Sequence, residues 1–170
     1  MNSIESLRQH FAYNEWANRR ILDSFRDDSN RSPAAVRAFA HLLVAEKMWL
    51  VRLLRNEDTT GFDFWQPSTL DECAALAEEN RRAYAELLRS LTEETLDSVA
   101  TYRNSKGVEY HTSFYDILTH VLFHSTYHRG QVAMAVRNDG GEPAYTDYVA
   151  FVRENEKVMG RSPRGGRGVS

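Results

Sequence analysis

The sequence predicts an all-α protein, a four-helix bundle with a short extra helix at its C-terminal end. Three observations point there. Apolar residues recur at i, i+3, i+4 and i+7 spacing through four long segments. The four prolines (Pro33, Pro67, Pro143 and Pro163) and most of the nine glycines lie outside those segments or at their edges. The chain has 170 residues, 42% hydrophobic and 26% charged, which is the composition of one globular domain able to bury its own core.

The first helix is expected over residues 3–27, with Ser3 as its cap and Ile4, Leu7, Phe11, Leu22 and Phe25 on one stripe. The second opens at Ser32-Pro33, a capping residue followed by proline in the first turn, and runs to about residue 56. It is apolar almost all round, from Phe39 through Leu42, Leu43, Met48, Trp49 and Leu50 to Leu54, as an interior helix is. Residues 57–68 read as a loop, long enough that the next helix need not follow in simple up-and-down order. The third helix begins near Ser68 or Thr69 with Glu72 in its first turn and ends near Ser90. Residues 99–110, with Asn104-Ser105-Lys106-Gly107 at their middle, read as a short hairpin or irregular connection. The fourth helix spans 113–137 and is ended by Gly140-Gly141 and Pro143; a last short helix covers 147–158. Residues 1–159 form one domain in this reading, and 160–170, rich in Gly, Arg and Ser, a disordered tail.

Several classes are excluded at this stage. A net charge of −3 gives no basic surface for nucleic acid. Cys73 is the only cysteine, so no disulfide can form within the chain. No basic-then-apolar leader opens the sequence, and no run approaches 18 apolar residues. A cytoplasmic protein without a membrane partner is expected. There is no internal repeat, phosphate loop, Ser-His-Asp or Cys-His set, or paired carboxylates with a clear role.

The chemistry lies in the histidines. His120, His124 and His128 stand at four-residue steps on one helix, where neighbours stack on one face. That spacing suits two imidazoles sharing a metal ion, but not three, because the outer two are about 12 Å apart in rise. At about 100° per residue, Phe114, Ile117, Val121, Val132 and Ala135 cluster on one side. His128 falls within that cluster and His124 beside it, whereas His120 lies roughly 100° away, so His124 and His128 are the inward pair. Buried neutral imidazoles need partners for both nitrogens, and a metal supplies one for each ring. A third ligand must come from another helix. His41, on the apolar second helix, is the natural candidate, ahead of His10 and His111. Three protein ligands leave a position open for water or a thiol, as in catalytic sites. Histidine-only ligation favours zinc, nickel or iron over magnesium or calcium.

Other residues carry two readings each. Asn14 and Asn18 share the stripe of Phe11 and Leu22; they either bridge helices or orient a histidine. Gln131 can hydrogen-bond His128 from one turn away, and His120 is a surface residue or a partner of His124. Arg129 either caps a loop or binds an anionic group. Gly130 costs about 1 kcal/mol in a helix relative to Ala, which close approach of another helix would justify. Trp16, Trp49 and Trp65 are expected in the core or as pocket wall, and Cys73 as an inert packing residue. Glu46, five residues after His41, points about 140° away from it, leaving no evident proton acceptor.

Four motifs in order resemble the DinB/YfiT-like superfamily, closest to its DinB branch. They are Tyr13-Asn14-Glu15-Trp16-Ala17-Asn18, His41-Leu42-Leu43 with Trp49 after it, the run from His120 to the His128-Arg129-Gly130-Gln131 ending, and Thr146-Asp147-Tyr148. The resemblance covers about residues 4–155. It implies an up-down-down-up four-helix bundle and a metal site at His41, His124 and His128, the set that periodicity favours. It also implies a homodimer and, from relatives in the wider superfamily, thiol-dependent S-transfer with a low-molecular-weight thiol and a small-molecule substrate. The functional expectation is therefore a metal-dependent transferase or hydrolase. The alternative is a non-catalytic metal- or thiol-binding protein of a damage-inducible stress response.

Overall fold

The computed structural model describes residues 3–55 and 59–158. Helix α1 (Ser3–Ser24) ends a turn earlier than its apolar stripe suggests. Asp27 then accepts from the Ser29 backbone and starts a 3-10 turn at Asp28–Asn30. Helix α2 (Pro33–Arg55) starts where Ser32 Oγ accepts from the Ala35 backbone at 3.2 Å. Helix α3 (Leu70–Ser90) is closed by a reciprocal capping box between Thr69 and Glu72. One element went unforeseen, the five-residue helix α4 (Glu93–Asp97) capped by Thr92. Strands β1 (Val99–Arg103) and β2 (Glu109–Ser113) form the antiparallel hairpin, in which Val99 faces Ser113 and Arg103 faces Glu109. Gly107 takes a φ of 77° in its turn, a conformation that only glycine adopts freely. Helices α5 (Phe114–Asn138) and α6 (Tyr148–Val158) complete the chain. The tail expected over 160–170 lies outside the described residues.

Helices α1, α2, α3 and α5 form the bundle. α2 packs against α5 and α3, and α1 against α3 and α5, so α1 and α2 face each other across a diagonal. Two apolar clusters give the directions. One joins Leu7 and Phe11 of α1, Leu50 of α2, Leu87 and Leu88 of α3, and Leu118 of α5. The other joins Ile21 and Phe25, Phe39 and Leu43, Cys73, and Val132 and Val136. The start of α1 thus meets the ends of α2 and α3 and the start of α5, which is the up-down-down-up order. Parallel neighbours α2 and α3 need a connection that crosses the length of the bundle, and the long segment after α2 provides it. Each fully buried Phe or Leu in these clusters contributes about 1.5–3 kcal/mol.

Between the two clusters lies a polar layer drawn from all four helices. The Glu46 carboxylate, buried on α2, accepts from Asn14 Nδ2 (2.7 Å), Asn18 Nδ2 (3.2 Å), Ser125 Oγ (2.8 Å) and Asn80 Nδ2 (3.3 Å). The same two α1 asparagines turn their carbonyl oxygens to the buried Arg129 guanidinium, at 2.6 and 3.3 Å. A carboxylate and a guanidinium are thereby joined through amides inside the bundle, the arrangement that makes buried charge tolerable.

Candidate metal centre

His41 sits on the α2 face turned toward α5, with Leu42 and Leu43 beside it in the core. Its Nδ1 lies 3.0 Å from the Phe64 carbonyl oxygen. A carbonyl only accepts, so Nδ1 carries the hydrogen and Nε2 keeps its lone pair. The ring also stacks on Trp65, with centroids 3.8 Å apart and planes 10° from parallel. Across the gap, His128 Nδ1 lies 2.7 Å from Gln131 Oε1, which leaves its Nε2 lone pair free in the same way. His124 Nε2 lies 3.2 Å from His128 Nε2. One ring nitrogen from each of His41, His124 and His128 falls within 4.8 Å of the others, and no Cys, Asp or Glu joins that group among the described residues.

This geometry fits a metal ion. Two imidazole nitrogens bound at about 2.0–2.1 Å to one tetrahedral ion stand about 3.3–3.4 Å apart, close to the 3.2 Å found. Two rings are held by a hydrogen bond in the tautomer that offers Nε2. All three are also biased toward the neutral, ligating form. Burial pushes the His124 pKa down to about 4, with the neighbouring His128, His120 and His41 adding to the fall. Burial is likewise the main cause lowering His41 and His128.

The loop between α2 and α3 is fastened so that Phe64 and Trp65 meet His41. Arg52, buried near the end of α2, donates from Nε and Nη2 to Thr59 Oγ1 at 3.1 and 2.8 Å. Thr59 in turn donates to the Arg103 carbonyl of β1 at 3.0 Å. The Arg52 guanidinium also lies over the rings of Trp49, Phe64 and Tyr102. An open groove of about 530 Å³ is lined by Arg37, Ala38, Trp65 and Gln131; no histidine lines it, and Trp65 and Gln131 connect it to the site through their contacts with His41 and His128. A separate cavity of about 390 Å³ opens between α1 and α3, where Glu46, Asn14 and Asn80 line it rather than any histidine.

The remaining expected site residues fall as follows. Gln131 meets His128 directly. His120 is exposed and meets Trp49 edge to ring and His124 at a tilt, with centroids 5.2 and 5.5 Å away. Asn14 and Asn18 bond Glu46 and Arg129 instead of a histidine. His10 packs on Tyr148 and His111 bonds Thr101, and neither joins the cluster. Trp65 is pocket wall, and Cys73 is buried in the core. The close helix contact expected at Gly130 is missing among the described residues, where nothing lies within 4 Å of the Cβ position. Sequence reasoning missed Arg52, Thr59 and Phe64; a basic residue on an otherwise apolar helix was the one available signal.

Fold and site together define a class, a helical bundle with a largely buried cluster of three histidines shared between two facing helices. The family comparison agrees: residues 1–159 match the DinB family, and the chain belongs to it. A curated relative, protein DinB of Bacillus subtilis (strain 168), is 23% identical over 176 residues, covering 87% of this chain and 95% of the relative. No helix among the described residues is long and apolar enough to cross a membrane.

Proposed function

We propose that His41, His124 and His128 hold one divalent metal ion, zinc or nickel before iron, and that the protein is a metal-dependent enzyme. One observation carries this reading: two imidazoles pinned through Nδ1 turn Nε2 toward a third, all three ring nitrogens lying within 4.8 Å of one another. A bound divalent ion would supply Lewis acidity and a place where a thiol or water ionises more readily. The protein's own residues then have definable work. Phe64 and Gln131 fix the ring tautomers, Trp65 walls the site, and the Arg52 cluster holds the loop in place.

Thiol transfer fits the surroundings better than hydrolysis. Hydrolysis calls for a proton acceptor beside the site. The buried carboxylate of α2, Glu46, is tied into the polar layer. A thiol, with a free pKa near about 8.5, loses its proton far more easily than water. The reaction class is transfer of a low-molecular-weight thiol to a small electrophile, carried out by a homodimer in the cytoplasm.

The test is elemental analysis of protein purified without chelators, followed by two assays on the loaded protein: thiol plus electrophile, and a panel of esters and amides. The expected result is about one metal per chain and thiol-dependent turnover that disappears in His41→Ala, His124→Ala and His128→Ala. A protein that neither carries nor takes up metal overturns the proposal. Ester hydrolysis without thiol transfer moves it to the hydrolase class, and tight metal binding with neither activity moves it to a stress-response sensor.

A further inference from the structure

The cavity between α1 and α3 has a chemistry of its own, apart from the histidines. Alanines keep it open: Ala12 on one helix and Ala74, Ala77 and Ala85 on the other put little bulk into the gap. Its volume of about 390 Å³ is that of a small-molecule site. The bottom is polar and short of donors. Among the described residues, Glu46 Oε1 accepts from Asn14, Asn18 and Ser125, whereas Oε2 accepts only from Asn80 Nδ2, at a long 3.3 Å. That Nδ2 also donates to the Leu43 carbonyl at 2.9 Å. Turning the Asn80 amide over would set its oxygen against both acceptors, so the network fixes which atom is which. Asn80 Oδ1, in a residue only 2% exposed, therefore meets no donor among the described residues. A buried acceptor in that position is costly until a donor reaches it.

At the mouth, arginines outnumber carboxylates: Arg8, Arg19, Arg81 and Arg89 stand against Glu15 and Glu78. Arg19 pairs with Glu15, and Arg81 with Glu78. Arg8 Nη2 donates to the Leu88 carbonyl at 3.1 Å. The exposed Arg89 forms no hydrogen bond or ion pair among the described residues. Arg8 and Arg89 thus make one end of the cavity positive. Asn80 and Arg89 are separated by about 13–14 Å along the α3 axis, and Phe11, Tyr84 and Leu88 wall the stretch between them. We propose that this cavity binds an elongated small molecule with a protonated amine at one end, an apolar body and a carboxylate at the other. The ammonium donates to Asn80 Oδ1 and Glu46 Oε2, and the carboxylate accepts from Arg89 and Arg8. The positive end disfavours a simple amine, and the buried Glu46 carboxylate disfavours a simple fatty acid, so the two together select the zwitterion. No histidine lines this cavity, so the site stands independently of the metal reading.

The experiment is isothermal titration calorimetry on the full chain with a series of ω-amino acids, from aminohexanoate to aminodecanoate. At least one member is expected to bind saturably with a single site per chain. The alkylamine and the fatty acid of the same length, each lacking one end, should bind about tenfold more weakly or worse. Arg89→Gln, at an exposed position without partners, should weaken the amino acid about fivefold and leave the alkylamine no weaker. Ala77→Met fills the cavity and should abolish binding, with far-ultraviolet circular dichroism as the check on folding. The side-chain amide resonance of Asn80 should move during the titration, and His41→Ala should bind the probe as wild type does. Absence of saturable binding by every member of the series overturns the proposal. So does binding that survives Ala77→Met or disappears in His41→Ala, and so does an Asn80 amide that stays still. Equal affinity for the alkylamine and the amino acid, unaltered by Arg89→Gln, overturns the acidic end of the ligand.

Discussion

Replacing Glu46 by alanine is expected to be among the most destabilising single changes in this protein. The side chain is only 3% exposed and takes hydrogen bonds from Asn14, Asn18, Ser125 and Asn80. Its carboxylate also offsets Arg129, which is 4% exposed and linked to it through the two α1 asparagines. Burial lowers the Arg129 pKa, while Tyr13 and Glu46 raise it. Glu46→Ala therefore leaves a buried guanidinium without its counter-charge and several buried donors without an acceptor. Breaking a buried pair from one side costs about 3–5 kcal/mol. At about 2–4 °C per kcal/mol for a chain of this size, the melting midpoint falls by roughly 10 °C. Urea unfolding followed by circular dichroism measures the change. The double variant Glu46→Met with Arg129→Met removes both charges together and should recover much of the loss, a coupling that a double-mutant cycle reads directly. A Glu46→Ala variant within about 1 kcal/mol of wild type, or a double variant no more stable than the two single losses added together, refutes the account of the layer.

Further outcomes follow from the histidines, Gln131 and Cys73. Gln131→Ala removes the acceptor that orients His128, so metal affinity should fall about 10- to 100-fold while the fold persists; competition with a chromophoric chelator measures it, and unchanged affinity removes Gln131 from the site. His120→Ala should keep the metal, in contrast with His124→Ala, as elemental analysis will show. The three cluster histidines have pKa values below the ordinary 6.5, His124 down to about 4. Between those values the unfolded chain binds more protons than the folded one, so metal-free protein should lose stability as pH falls from 6.5 toward 4. Urea midpoints at several pH values give the slope, and a flat profile counts against buried neutral imidazoles. Burial raises the Cys73 thiol to about 11, so an aromatic disulfide reagent at mildly alkaline pH should label it only in denaturant.

The sequence by itself determined the helices and which faces they bury, because apolar spacing records local geometry at every turn. Ser32 before Pro33, Thr69 before Glu72 and Asn104 to Gly107 marked the punctuation for the same reason. It also singled out the three histidines, since two of them lie one turn apart on an inward face and the third lies on the most apolar helix. The small helix α4 escaped, as five residues are too few for a period to show. Tertiary structure alone decided what those side chains meet. Asn14, Asn18, Glu46, Asn80, Ser125 and Arg129 come from four helices and span 115 residues of chain, and no local pattern encodes their union into one layer. Likewise, the carbonyl of Phe64 and the ring of Trp65 reach His41 only because Arg52 and Thr59 fold their loop back over α2. Spacing along a chain fixes the direction in which a side chain leaves its helix; its partner is fixed by how the helices pack.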